Sequence, residues 1–313
     1  MTTAAAVPVT RDEELEGDEA LETLRRTGRV TLLRDAVTRF RAADGMSHSR
    51  ALAFQVTLTL LPAVIAVVGL AVDLEIESFT RVVRDTIREI APGAVGEIFT
   101  AALEQGTDAA NEEAGEIALA GGALAAGIAG TTAMAQIERG ANRIYGTEID
   151  RPFVRKYLNA AFLFATAGTF GIAAIAILVG GAAMRDAIDW GDTVDGIWNV
   201  VRWPLGLGLA VAAIALLFER APRRRQPEPS WLAFGAAMST ALWLVFMAVL
   251  VVYLELTGTF GETYGPIAGT IGVLLWTFLS SVALFLGLAF AAQLEAVRAG
   301  VPDPRLDDRH ENV

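Results

Sequence analysis

The chain has 313 residues with 53% hydrophobic and 19% charged content, a mean hydropathy of +0.45, a net charge of −11, two histidines and no cysteine. So apolar a balance excludes an ordinary soluble domain and assigns the chain to a bilayer. The missing thiols exclude disulfide scaffolds, zinc ribbons and iron–sulfur clusters, and the acidic balance argues against nucleic acid, whose phosphates need a basic face.

Residues 1–28 mix Ala, Thr and Pro with an acidic cluster from Asp12 to Glu22, the composition of a disordered cytoplasmic tail. The membrane domain, 29–297, opens with Val30, Leu33, Val37 and Phe40 at helical spacing and Arg29, Arg34, Arg39 and Arg41 between them. That is the pattern of an amphipathic helix lying in the interface against anionic lipid; a plain juxtamembrane helix whose arginines only set topology accounts for it equally well. Six stretches then have the length and apolarity to cross a hydrocarbon core of roughly 30 Å. They run about 51–72, 117–135, 158–184, 197–218, 231–254 and 267–294, with five or seven spans as alternatives. Arg202 and Pro204 interrupt the fourth, whose beginning reads as interfacial, and Gly265-Pro266 sets the start of the sixth.

Between the first two spans, the loop 73–116 holds eleven acidic residues and two helical patterns, Phe79 to Ile90 and Val95 to Leu103, parted by Pro92 and Gly93. A short helical hairpin capping the bundle is expected there, with a solvated loop of local helicity as the alternative. Of the 25 basic residues, 20 lie in the first 50 residues, the 136–157 and 219–230 loops and the tail 298–313. By the positive-inside rule both termini are cytoplasmic and the hairpin is extracytoplasmic.

The spans carry no charge at mid-depth, which argues against proton-coupled pumping. Their polar residues are gentler: Gln55, Thr57 and Thr59 ahead of Pro62, then Thr131, Thr132, Asn159, Thr166, Ser239, Thr240, Ser280 and Ser281. Each reads as an interhelical hydrogen bond before a substrate contact. Pro62 frees the carbonyl of Leu58, which Thr59 or a neighbouring helix satisfies, and predicts a kink. Gly121, Gly122, Gly127 and Gly130 in span two, and Gly265, Gly269 and Gly272 at span six, predict close helix packing. At the inner end of span two, Glu138 through Gly146 combines opposite charges with Asn142, a segment suited to a lipid headgroup or to locking against the 219–230 loop; a basic loop that only sets topology accounts for it equally well. Tyr264, Gly265, Glu255 and Glu262 form a comparable outer cluster. Catalytic templates fail: there is no G-x-S-x-G, Walker loop, H-E-x-x-H or metal-spaced acidic group.

Three segments resemble a known family. Ala51-Leu52-Ala53-Phe54 through Thr59-Leu60-Leu61-Pro62 is similar to an aromatic-then-Ser-Leu-x-Pro first span, with Phe54 where tyrosine is usual and Thr59 where serine is usual. Glu138 through Gly146 is similar to E-x-x-x-N-R-I-[WY]-G. Tyr264-Gly265 through Leu275-Trp276 and Gly287 is similar to the closing Y-G-x-x-G…LW…G, with Gln293 where glutamate is frequent. Over about 30–297 the chain resembles the YihY/BrkB family of polytopic membrane proteins, once labelled ribonuclease BN-like. The resemblance implies a six-span bundle in the cytoplasmic membrane with cytoplasmic termini. It also implies envelope and virulence phenotypes without an agreed activity, the ribonuclease label being regarded as a mistaken assignment.

The expected protein is therefore an all-α integral membrane protein: a six-transmembrane-helix bundle with an extracytoplasmic helical hairpin and an N-terminal amphipathic interfacial helix. The expected function is passive or gradient-driven transport or lipid translocation for the cell envelope, without enzymatic activity, cofactor or metal. Candidate substrate or lipid contacts are Gln55, Thr59, Pro62, Glu138, Asn142, Arg143, Tyr145, Tyr264 and Gly265. The expected partners are anionic lipid headgroups at the cytoplasmic face, and either a second copy of the chain or an envelope-assembly protein. A non-transporting scaffold is the competing reading, and a ribonuclease a minor, disfavoured one.

Overall fold

Each apolar run falls, as far as it is described, on one long helix, and four of the six helices extend past the run at both ends. The structure, a computed structural model, describes residues 3–9, 17–73, 101, 115–178, 192–256 and 268–306. Within them lie α1 (Gly17–Thr27), α2 (Arg29–Ala42), α3 (Gly45–Asp73), α4 (Gly115–Ile144), α5 (Phe153–Leu178), α6 (Asp192–Arg220), α7 (Pro229–Leu256) and α8 (Ala268–Arg298). The only extended pairing among the described residues is an isolated antiparallel bridge between Ala4 and Arg305. The 73–116 hairpin falls almost entirely outside the described residues.

The protein is an all-helical membrane protein. Helices of 26 to 31 residues reach roughly 40–45 Å, longer than a hydrocarbon core of about 30 Å. Four windows have the length and apolarity to cross a membrane: Phe153–Ala174, Gly196–Arg220, Pro229–Tyr253 and Gly269–Arg298. Pro204 lies inside α6 without ending it, so the fourth run is helical through its polar start. The long helices α3 to α8 pack each on the next in chain order, and α8 returns to α3, closing a ring of six. Large apolar side chains such as Leu158, Ile172, Val200 and Val249 point outward and exposed, a surface that suits lipid and not water.

Glycine packing differs from expectation. Gly121 and Gly127 face open space, and of that span-two set Gly130 is tight, its missing Cβ leaving room for the Phe164 ring. A close helix approach joins α7 and α8, where a Cβ on Gly287 would lie 2.6 Å from Gly235 O and collide with Ser239 Oγ. Ser239 and Trp243 of α7 also bond across to Leu284 O and Ser280 Oγ at 3.3 and 3.1 Å. Thr57 and Thr277 join α3 to α8 at 3.1 Å. Thr59 instead bonds Gln55 O of its own helix at 2.8 Å, so it does not serve the carbonyl that Pro62 frees.

Two N-terminal expectations are corrected. The region read as a disordered tail contains α1 and a segment, residues 3–9, in which Ala4, Ala5 and Val7 are buried. In α2 the buried side is Leu32, Ala36, Arg39 and Phe40, whereas Val30 is 80% exposed and Leu33 and Val37 lie beside it outward. The helix has two apolar stripes, one on the bundle and one facing away. Arg39 belongs to the inner one, where a 3.6-residue period places it below Leu32 and Ala36.

Candidate functional site

The last two turns of α4 sort the Glu138–Gly146 segment by helical period. Glu138, Asn142 and Tyr145, at i, i+4 and i+7, are buried, while Arg139 and Arg143 on the other side are exposed. Around the buried three, every segment rich in basic residues gathers at one end of the ring.

Glu138 and Asn142 form a lock with the loop after α6. Glu138 accepts from Arg151 N at 3.1 Å and Nη1 at 2.8 Å. Arg151 also donates to Ala221 O at 2.6 Å, Pro222 O at 2.8 Å and Arg220 O at 3.2 Å, satisfying carbonyls at the C-terminal end of α6. Asn142 Nδ2 donates to Asp150 Oδ1 at 2.9 Å, and its Oδ1 accepts from Arg223 N at 2.7 Å. Asp150 takes Lys156 Nζ at 2.7 Å. Partial burial would raise the Asp150 carboxyl, but the bonds from Lys156 and Asn142, with the charges of Lys156 and Arg139, outweigh it and hold the group below its ordinary range. Of the sequence readings for this segment, a headgroup contact, a lock against the 219–230 loop or a topology-setting basic loop, the lock describes the bonds that Glu138 and Asn142 make.

A second cluster lies beside it. Arg224 meets Glu295 bidentately at 2.5 and 3.2 Å and stacks over the Tyr145 ring, 4.5 Å from its centroid. Arg39, fully buried, donates Nε to Gln293 Oε1 at 2.8 Å and Nη1 to Ala5 O at 2.7 Å and Ile144 O at 3.3 Å. Burial lowers the Arg39 pKa to about 10, opposed by Tyr145 and Glu295, so the guanidinium is charged at neutral pH. Burial likewise raises the Tyr145 phenol, keeping it a neutral donor.

Gln55, Thr59 and Pro62 lie apart from these clusters, on one stripe of α3 with His48 and Leu52. The three candidates and His48 are half-buried. His48 Nδ1 lies 3.3 Å from Gln136 Nε2, and its ring 6.4 Å from that of Phe285. A polar stripe thus descends α3 from the basic end. Arg143 is exposed at that end, and Tyr264 and Gly265 lie outside the described residues. The sequence reading missed Arg39, Arg151, Arg224, Gln293 and Glu295 as a site. Its available signal was the apolar run closing in Ala292-Gln293-Leu294-Glu295, which puts a carboxylate in the last turns of a buried helix. Among the described residues, no three His, Asp or Glu side chains group as a metal site would require.

A sequence profile described as Virulence factor BrkB matches residues 36–311. The chain is 25% identical to the putative ribonuclease-like protein YfkH of Bacillus subtilis over 88% of its length and 98% of the relative's. It is 27% identical to a UPF0761 membrane protein of Laribacter hongkongensis over 66% of its length and 47% of that relative's. With a UPF0761 membrane protein of Azoarcus sp. it shares 24% identity over 82% of its length and 62% of that relative's. The chain spans about half to three fifths of these two UPF0761 relatives. No solved structure matches.

Proposed function

The chain belongs to the Virulence factor BrkB family, and from that premise we propose that it crosses the cytoplasmic membrane six times, with both termini inside, and moves a lipid or another envelope solute across it. The four apolar windows support the crossings, and α3 and α4, at 29 and 30 residues, complete the ring with them. The meeting of Ala4 with Arg305 puts both ends of the described chain on one side. That side carries the arginine-rich segments, as the positive-inside rule requires of a cytoplasmic face. Exposed Arg139 and Arg143 are the contacts proposed for anionic headgroups there.

The observation that carries translocation is the half-buried line His48, Gln55, Thr59 and Pro62, three of them polar, running from the headgroup level into the apolar length of α3. No nucleotide-binding or mid-depth acidic group supplies energy, so movement is passive or follows the solute's gradient. The test is headgroup accessibility of labelled phospholipids in proteoliposomes of pure protein. Loss of inner-leaflet protection, slowed about tenfold (roughly 1.4 kcal/mol) in Gln55→Leu/Thr59→Val, is expected. Protection equal to empty vesicles would overturn lipid movement.

The scaffold reading draws on a separate observation, that Glu138 and Asn142 spend their polar atoms inside the protein. It predicts full protection together with capture of an envelope-assembly partner or a second copy of the chain. The wording of YfkH's name leads to one check on RNA: cleavage by pure protein that survives Glu138→Gln belongs to a contaminant.

A further inference from the structure

We propose that Arg39, Arg224 and Tyr145 form a binding site for a phosphate-bearing anion at the basic end of the ring, and that the N-terminal strap, residues 3–9, occupies it as a removable plug. The inference takes from the proposed function only the nearness of this end to lipid headgroups, and its test requires no transport.

The strap reads Thr-Ala-Ala-Ala-Val-Pro-Val and has no ionisable side chain. It is held by backbone bonds, Ala5 N to Pro304 O at 3.2 Å, Leu306 N to Thr3 O at 3.1 Å and Val7 N to Tyr145 O at 3.2 Å. Gly146, at φ +69, lets it lie flat, since a Cβ there would be 2.6 Å from Ala6 Cα. Yet both guanidinium groups of the cluster donate into it, Arg39 to Ala5 O at 2.7 Å and Arg224 to Pro8 O at 3.2 Å. Neutral carbonyls thus sit where a cation's strongest partner is an oxyanion.

The charge is unbalanced in the same sense. Glu295 is engaged bidentately by Arg224, and among the described residues the partners of Arg39 are all neutral, Gln293 and two backbone carbonyls. Among the described residues the cluster therefore buries one excess positive charge, a state that is unfavourable in low dielectric unless an anion joins it. Three of its donors, Arg39 Nη2, Arg224 Nε and Tyr145 OH, are buried and find no acceptor among the described residues. A phosphate supplies the charge and enough oxygens for these donors and for the two that the strap would release. All three residues lie inside the span matched by the family profile, 36–311, and the strap lies outside it.

The test uses the full chain in a phosphate-free nonionic detergent. Ala4→Cys with Arg305→Cys places one disulfide across the bridge, where the Cα atoms of an opposed antiparallel pair are about 4.5–5.5 Å apart, within disulfide reach, and the chain offers no competing thiol. The probes are radiolabelled inorganic phosphate and phosphatidic acid, with diacylglycerol as the phosphate-free control. Binding is expected in the reduced form and to be weaker by about tenfold or more in the oxidised form. Tyr145→Phe, which removes a hydroxyl that bonds nothing among the described residues, should weaken it about tenfold. Gln293→Glu, which neutralises Arg39 at the cost of the 2.6 Å bond to Pro302 O, should abolish it. Phosphatidic acid binding without inorganic phosphate binding identifies a lipid headgroup as the source, and binding of both identifies free phosphate as sufficient. No binding in the reduced form, equal binding in both redox states, or affinity unchanged in Tyr145→Phe and Gln293→Glu overturns the proposal. The vesicle assay above reports on translocation whichever way this falls.

Discussion

Glu295 and Arg224 have side chains only 1% and 6% exposed, so neither charge has water to fall back on. Glu295→Ala strands the guanidinium against the Tyr145 ring and is expected to cost about 3–5 kcal/mol, read as a lower unfolding midpoint in detergent. Arg224→Met added to it should restore part of the loss, because the stranded charge is then gone. His48 gives a pH effect of definite sign. Burial lowers its pKa from the ordinary 6.5, with Arg143 and Arg139 acting the same way and Asp44 and Asp150 opposing. The folded state therefore holds fewer protons than the unfolded one, and this share of stability is complete above 6.5 and lost as pH falls below that value. Melting temperature should decline from pH 7 to 5, with a shallower slope in His48→Gln.

At the scale of elements, the α7–α8 crossing and the outer face of α4 make opposite predictions for one chemical change. Gly287→Ala drives a methyl into Ser239 Oγ and Gly235 O and should destabilise by about 1–3 kcal/mol. Gly127→Ala meets nothing within 4 Å and should be neutral or stabilise by about 0.5–1 kcal/mol, the ordinary gain in a helix interior. Thermal unfolding of the two purified variants checks both. Glycine spacing was visible in the sequence, but whether a glycine meets a partner depends on the azimuth at which its helix docks. Helix existence was legible because runs near 20 apolar residues admit little else in a bilayer. The two stripes of α2 were not, since a period of 3.6 fits an inward and an outward face equally well.

For the whole molecule, six crossings with both termini inside make a labelling prediction that the absence of native cysteine renders clean. A membrane-impermeant maleimide added to intact cells should label Thr107→Cys in the 73–116 loop and leave Glu148→Cys and Asp303→Cys unlabelled until the membrane is permeabilised. The reverse pattern would invert the topology. Composition and the arginine count sufficed to place the chain in a bilayer and to predict this orientation, because transfer of apolar area and the retention of positive loops are sums over segments that need no contacts. The Glu138–Gly146 segment likewise stood out locally, and its inward face followed from helical period alone. What joined it to Arg151 and Arg223 was the meeting of the loops after α4 and α6, and what brought Arg224, Glu295, Arg39 and the N-terminal strap beside it was the ring closing through α8. Those partners lie 13 to 254 positions apart along the chain, and each is an ordinary charged or polar residue until burial removes water and makes its partner obligatory.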